Sequence, residues 1–137
     1  MGNKAIRDML LENLREDILI FDEPMKNHTT FRSGGKCDVL AIPGSVEDIR
    51  RLNRLCKKNG IPMIVIGNGS NLLIREGGIR GVVLKLAENF CYATVSDNSV
   101  TAQAGALLSS IAMKAMNSSL SGLEFASGIP GTVGGGV

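Results

Sequence analysis

Apolar residues near the start of the chain recur at helical spacing, with charged residues between them. This spacing predicts an amphipathic helix that ends near Glu16, with an apolar face formed by Ile6, Met9, Leu10, Leu14 and Ile18. Pro24 then begins an extended stretch through Phe31, which the glycine pair at 34–35 closes.

The pattern between residues 39 and 66 predicts a strand, a helix and a second strand. The apolar run 39–42 stops at a Pro-Gly pair, and Ser45 followed by Asp48 resembles a capping box at a helix start. The buried face of this helix is predicted to contain Ile49, Leu52, Leu55 and Cys56, and Asn59-Gly60 ends it. A continuous apolar run at 62–66 has the length of a buried strand. This order is typical of a parallel crossover.

The remaining residues predict a hairpin, a third helix and a glycine-rich end. Segments 91–95 and 100–104 flank Ser96-Asp97-Asn98-Ser99, which is a hairpin pattern. A third helix is predicted from its apolar positions Leu107, Leu108, Ile111, Ala112 and Ala115. The stretch 122–137 is rich in glycine and offers few side chains to bury, so we expect more protein beyond Val137.

The composition is that of an ordinary globular protein of 137 residues, with 44% hydrophobic and 20% charged residues. A net charge of +2 without a basic block gives no electrostatic reason to expect nucleic acid or a membrane as partner. Cys37, Cys56 and Cys91 are widely separated and suggest reduced thiols, not a zinc site or a disulfide framework. With no signal core and no apolar run of membrane-spanning length, the predicted location is the cytoplasm.

The strongest chemical signal is the loop Gly67-Asn68-Gly69-Ser70-Asn71, which directly follows the second predicted strand. Glycines leave room for backbone amides to converge on phosphate oxygens, and Ser70 and Asn71 add short side-chain donors. The loop lacks the lysine of a Walker site and the GxGxxG of a Rossmann dinucleotide site. Taken alone, it is also compatible with a tight turn that binds nothing.

Two further loops are rich in exposed backbone. Gly105-Ala106 lies between a predicted strand and a predicted helix, and a second loop contains Gly128, Ile129, Pro130, Gly131, Gly134 and Gly135. Together with residues 67–71, they suit a long, flat ligand laid along the backbone. Their alternative interpretation is a set of turns and helix caps.

Three ordered blocks, at residues 27–35, 66–73 and 122–135, resemble those of the UDP-N-acetylenolpyruvoylglucosamine reductase family, in its shorter bacterial type. The resemblance implies an α+β fold: an FAD-binding domain of the vanillyl-alcohol-oxidase or PCMH type, with two small α+β subdomains, the second incomplete. It places an N-terminal helix at 1–19, the first subdomain at 20–87 and the start of the second at 88–137. The family's separate substrate domain has no counterpart in this chain.

The resemblance also implies FAD as cofactor and NADPH as hydride donor, acting on a UDP-sugar substrate. It implies that the pyrophosphate of FAD is held by Gly67, Asn68, Gly69, Ser70, Asn71 and Leu72. The flavin side is expected at Gly128, Ile129, Pro130, Gly131 and Gly134, with Ala104 and Gly105 completing the cradle. The block Thr30-Phe31-Arg32 is assigned to the same flavin-binding unit.

No catalytic residue is assigned within the chain, because the family's catalytic Arg, Ser and Glu belong to segments expected beyond Val137. We therefore expect the chain alone to lack reductase activity. Two alternatives remain open: a non-catalytic nucleotide-binding or folding-incompetent remnant, and another flavoenzyme of the same superfamily. The oligomeric state and the roles of His28, Arg75 and Arg80 are also left open.

Overall fold

A four-stranded mixed sheet organises the first part of the computed structural model, which describes residues 2–86 and 88–137. Its strands are β1 Leu19–Phe21, β2 Cys37–Ala41, β3 Met63–Ile66 and β4 Ile79–Lys85, in the order β1-β2-β4-β3. β2 and β3 both run parallel to β4, and β1 runs antiparallel to β2. The predicted parallel crossover from β2 through a helix to β3 is confirmed. The two strands are not neighbours, because β4 lies between them.

Two helices cover one face of this sheet. They are α1 Asn3–Asn13 and α2 Val46–Lys58, and the predicted cap is present, with Asp48 N–H donating to Ser45 Oγ at 3.1 Å. Leu10 and Leu52 pack with Val39 and Val82 in one core, so α1 shares its hydrophobic core with the sheet. The other face holds a second core that contains Met25, Leu40 and Val83 among its buried residues.

The first helix is shorter than its periodicity predicts, and the strand after it was missed. The helix ends at Asn13, a short 3₁₀ turn covers Glu16–Ile18, and β1 begins at Leu19. Residues 19–21 pair with residues 39–41. This long-range pairing overrides a local apolar spacing that fits a helix equally well.

The prediction of a buried strand at 62–66 is wrong in one respect. β3 lies at the edge of the sheet, and Ile64 and Val65 remain 46% and 53% exposed. Continuous apolar runs are typical of strands buried on both faces, but this one is covered on neither face along its middle.

The second part of the chain is smaller. It contains the hairpin β5 Ala93–Ser96 and β6 Ser99–Ala102, the helix α3 Leu108–Asn117 and the short helix α4 Val133–Gly136. The predicted hairpin and third helix are confirmed, whereas α4 was not predicted in its glycine-rich sequence. The core here is built around Ala93, Ala106 and Ile111, and Phe90, Ala112, Ala115 and Ala126 are also buried in this part. Nowhere in the described ranges does a helix combine the length and apolar character needed to cross a bilayer.

Candidate nucleotide-binding cleft

An open cleft of about 570 Å³ lies where the loop after β3 faces the glycine-rich segment before α4. Since β3 and β4 are parallel, this loop leaves the carboxyl end of the sheet, where open α/β sheets bind ligands. The cleft is lined by Val65, Ile66, Gly67, Asn68, Gly69, Ser70, Asn71, Leu72, Leu108, Ile129, Pro130, Gly131, Thr132, Gly135 and Gly136. The fold thus brings together two of the three predicted loops.

Within the described residues, the backbone amides of the first loop donate no hydrogen bond of standard geometry to the protein. Among residues 2–86 and 88–137, none of the six N–H groups from Gly67 to Leu72 donates a hydrogen bond to a backbone oxygen. The Gly69 carbonyl, by contrast, accepts from Thr30 N–H at 3.1 Å, so this carbonyl fixes the loop while its amides stay available. Unpaired amides of this kind are typical of anion-binding backbone concavities.

The two loop glycines are required for a reason that the sequence did not suggest. Gly69 has a φ of 70°, and a Cβ there would collide with the His28 carbonyl oxygen. A Cβ on Gly67 would collide with the Thr132 side chain. Both glycines therefore let other protein segments pack closely against the loop, in addition to leaving the backbone accessible.

The polar groups of the cleft are neutral. Its side-chain donors are the amides of Asn68 and Asn71 and the hydroxyls of Ser70 and Thr132, and no lining side chain is ionisable near neutral pH. Such a surface can bind and orient an anionic, partly apolar ligand. It offers no side chain with the acidity needed to transfer a proton at neutral pH.

Four of the residues predicted by resemblance lie off the lining of this cleft. Ala104 and Gly134 are joined by a 2.8 Å hydrogen bond from Gly134 N–H to the Ala104 carbonyl. Gly105 is buried against the carbonyls of Leu86 and Phe90, where no Cβ would fit. Gly128 is exposed at the end of a 3₁₀ turn. The other nine predicted residues line the cleft.

Thr132 is the most informative residue that the sequence reasoning missed. It is 2% exposed and packs against Gly67, while its hydroxyl accepts from Gly135 N–H at 3.3 Å and caps α4. The signal available in the sequence was the position of this threonine directly before Val133–Gly136, since threonine is a favoured N-cap residue. Val65, Leu108 and Gly136 were also missed, whereas Ile66 and Gly135 were named in the sequence blocks but not assigned to the ligand.

A second opening of about 710 Å³ lies beyond Asn68, which lines both spaces. We call it the basic cleft, and its lining residues are Lys26, Asn27, His28, Thr29, Thr30, Arg32, Asn68 and Lys85. His28 Nε2 lies 2.9 Å from Glu23 Oε1, and its Nδ1 lies 3.4 Å from Lys85 Nζ. The hydrogen bond with His28 lowers the pKa of the Glu23 carboxyl, although burial acts in the opposite direction.

Arg80, Cys37 and Cys56 line neither cleft, and their contacts indicate structural roles. Arg80 pairs with the buried Asp38 at 2.7 Å and donates to the Lys36 and Gly77 carbonyls. Cys37 and Cys56 are buried, and burial raises the pKa of the Cys37 thiol to about 11. Among the described residues, no group of three or more His, Cys, Asp or Glu side chains is placed to hold a metal ion.

Comparison with known proteins identifies the relatives of this fold. The family model of the FAD binding domain matches residues 37–137. The UDP-N-acetylenolpyruvoylglucosamine reductase of Clostridioides difficile is 48% identical over 135 residues, which is 98% of this chain and 44% of that protein. The chain spans about two fifths of the length of the curated relatives that it matches.

Comparison with solved structures gives the same relationship. The crystal structure of UDP-N-acetylenolpyruvylglucosamine reductase (MurB) from Thermus caldophilus has a TM-score of 0.67 at 33% identity, covering 85% of this chain and 39% of that one. A glucose dehydrogenase, Phl p 4.0202, shares the fold with a TM-score of 0.65 at 12% identity. The match covers 83% of this chain and 26% of the glucose dehydrogenase chain. The α+β, PCMH-type fold and the resemblance from the sequence blocks are confirmed. The chain therefore belongs to the FAD binding domain family, and within it is similar to the UDP-N-acetylenolpyruvoylglucosamine reductases.

Proposed function

We propose that the chain is the FAD-binding part of a reductase that converts UDP-N-acetylglucosamine enolpyruvate into UDP-N-acetylmuramate with NADPH. This reaction belongs to peptidoglycan precursor synthesis, which takes place in the cytoplasm. The proposal is supported by the names of the relatives, by the FAD binding domain family and by the cleft between residues 65–72 and 129–136.

The observation that carries the proposal is the row of amides from Gly67 to Leu72, which donate to no backbone oxygen within the described residues. A buried or half-buried amide without an acceptor costs free energy, so such a row indicates an external acceptor. A diphosphate presents several anionic oxygens and lacks any donor at neutral pH. It matches a surface of neutral donors without carboxylates.

In this proposal each wall of the cleft has its own role. Residues 67–72 hold the diphosphate through backbone amides, assisted by the Ser70 hydroxyl and the Asn71 amide. Ile129, Pro130 and Gly131 form the opposite wall, where apolar atoms suit a flat ring system. The hydrogen bond from Gly134 N–H to the Ala104 carbonyl holds the segment that carries this wall. Gly105, next to Ala104, donates to the Phe90 carbonyl, and Gly128 directly precedes the wall.

FAD bound here would supply the hydride chemistry, and the chain supplies binding and orientation. Since no lining side chain is ionisable near neutral pH, the proton that completes reduction of a double bond must come from a group outside this cleft. We therefore expect the 137-residue chain by itself to show no NADPH consumption that depends on the enolpyruvyl substrate.

A comparison of three ligands tests the role of the diphosphate. FAD, ADP and riboflavin are titrated into the chain, and binding is followed by flavin absorbance, flavin fluorescence and calorimetry. We expect ADP to compete with FAD, and riboflavin, which lacks the diphosphate, to bind at least about tenfold more weakly. Equal affinity for riboflavin and FAD would contradict the assignment of the amide row, and failure to bind FAD at all would contradict the proposed function.

A pair of serine variants localises the effect. Ser70→Ala removes a cleft hydroxyl and should weaken FAD binding several-fold, about 1 kcal/mol, while leaving riboflavin binding unchanged. Ser99→Ala, at an exposed position of the β5–β6 hairpin, is the matched control and should change neither affinity.

A further inference from the structure

We propose that the basic cleft is a second phosphate-binding site, separated from the first by Asn68. The chemistry it recognises is a phosphate group on a phosphorylated molecule separate from the ligand of the first cleft. The inference goes beyond the proposed function, because the amide row between Gly67 and Leu72 does not require it.

The charge of the basic cleft differs from that of the first cleft. Three of its lining side chains, on Lys26, Arg32 and Lys85, are cationic, and none is a carboxylate. Asn27, Thr29 and Thr30 add neutral polar groups to the same surface. Clustered cations with neutral donors are the usual recognition surface for phosphate oxygens.

The carboxylates nearest to this cleft are already engaged. Glu23 is bound by His28 at 2.9 Å and by the Asn27 amide at 3.2 Å. Glu88 pairs with Lys85 at 3.1 Å, but its side chain is 66% exposed. Lys26 and Arg32 form no ion pair among the described residues, so their charge is directed to the solvent that fills the cleft.

Lys85 is the second independent observation. It ends β4, and its side chain is only 12% exposed, although its partners are a histidine nitrogen at 3.4 Å and the exposed Glu88. Because the carboxylate partner Glu88 is largely exposed, this ion pair is weak, and the Lys85 ammonium leaves positive charge at the cleft that would attract an anion. His28 lies between the two residues, with Nδ1 3.4 Å from Lys85 Nζ and Nε2 2.9 Å from Glu23 Oε1.

Arg32 is the third observation. Its φ of 51° lies in the left-handed region, which residues other than glycine rarely adopt, and its N–H closes a turn by donating to the Thr29 carbonyl at 3.2 Å. Such conformations cluster where the backbone must aim a side chain at a ligand. The turn places the Arg32 side chain on the cleft that Lys26 and Lys85 also line.

The experiment uses inorganic pyrophosphate as probe, measured by calorimetry on the chain alone and on the chain saturated with FAD. The variants are Lys26→Gln and Arg32→Gln, with Arg32→Lys as the variant that keeps the charge. Lys58→Gln, at the exposed end of α2, is the matched control that removes one charge elsewhere. Thermal melts of all variants verify that the fold is retained.

Measurements on the FAD-loaded protein distinguish a second phosphate site from a site for the diphosphate of FAD itself. If FAD-loaded protein still binds pyrophosphate, and Lys26→Gln and Arg32→Gln weaken that binding about tenfold while Arg32→Lys and Lys58→Gln do not, the ligand is a separate phosphorylated molecule. If FAD excludes pyrophosphate, and the same two variants weaken FAD binding itself, the basic cleft binds the diphosphate of FAD and the proposal of a second site is overturned.

The proposal is overturned if Lys26→Gln and Arg32→Gln change neither pyrophosphate nor FAD binding more than Lys58→Gln does. It is equally overturned if the wild-type chain binds neither compound. Failure of the proposed function gives a different result: the chain then binds no FAD, yet its pyrophosphate binding remains sensitive to Lys26 and Arg32.

Discussion

The two walls of the candidate nucleotide-binding cleft belong to regions that differ in how well they are packed. The wall at residues 65–72 extends from a four-stranded sheet with a hydrophobic core on each face. The wall at 129–136 belongs to a region with one hairpin, whose buried hydrophobic residues are mostly alanines. Met116 and Phe125 in this second region are 62% and 69% exposed.

This difference indicates that one wall is rigid and the other is weakly held. Stability is distributed unevenly in proteins, and segments with few buried contacts open at lower free energy than the global unfolding reaction. The cleft spacing therefore depends on a few contacts between the regions, above all Thr132 packed against Gly67 and the Asn89 amide bonded to the Pro43 carbonyl at 3.0 Å.

The largest difference should appear in thiol reactivity. Cys91 is exposed in the second region, whereas Cys37 and Cys56 are buried in the first, where burial raises the pKa of both thiols. With a disulfide reagent at pH 8, the Cys91 thiol should react at once. The Cys37 and Cys56 thiols should react at least about a thousandfold more slowly, because they become accessible only when the first region opens. Reaction of all three thiols at similar rates would show that the first region is not stably folded.

Core truncation should affect the first region more strongly. Leu52 is fully buried between α2 and the sheet, and Leu52→Ala should lower the free energy of unfolding by about 3 kcal/mol. Ile111→Ala, at 8% exposure in the small core, should cost about 2 kcal/mol or less because its surroundings can collapse around the gap. Urea denaturation of both variants measures the difference, and an equal or larger cost for Ile111→Ala would refute the contrast.

A pair of glycine variants tests the loop at the boundary. Gly69→Ala introduces a Cβ against the His28 carbonyl at a φ of 70°, so we expect a loss of about 2 kcal/mol in stability together with weakened FAD binding. Gly128→Ala meets nothing within 4 Å and should be nearly neutral in both measurements. If Gly69→Ala binds FAD as the wild type does, the loop geometry described above is not required for the ligand.

The smallest effect concerns helix capping. Ser45→Ala removes the acceptor for Asp48 N–H and should cost about 1 kcal/mol. Ser110→Ala, in the first turn of α3, removes no side-chain cap from that helix and should change stability by less than about 0.5 kcal/mol. Thermal unfolding of the two variants provides the measurement, and a larger loss for Ser110→Ala would contradict it.

Local patterns were enough to predict several elements. The Ser45 cap, the end of α2 at Asn59-Gly60 and the hairpin turn at 96–99 each depend on residues within a few positions of one another. The glycine-rich loop after β3 was also visible, because a strand followed by glycines and short polar residues is a local pattern. Which loop residues contact a ligand stays a prediction, as do the domain boundaries at residues 19 and 87.

Other features had no local signal. β1 was missed because Ile18 continues the helical spacing of α1, and only pairing with β2 decides its conformation. Helix α4 forms in a run of glycines because Thr132 caps it and Gly134 N–H bonds to the Ala104 carbonyl, two contacts set by tertiary structure.

The sequence by itself determined α2, the β5–β6 hairpin and α3, because the residues that encode each of them lie close together along the chain, and its three ordered blocks indicated the family. Only the tertiary structure decided that β4 lies between β2 and β3, which puts β3 at an edge and its loop opposite residues 129–136. The same packing revealed why Gly67 and Gly69 must be glycine and brought Lys26, Arg32 and Lys85 to one surface. Contacts between distant segments follow from how sheets and helices bury their apolar faces together, and no short stretch of sequence contains that information.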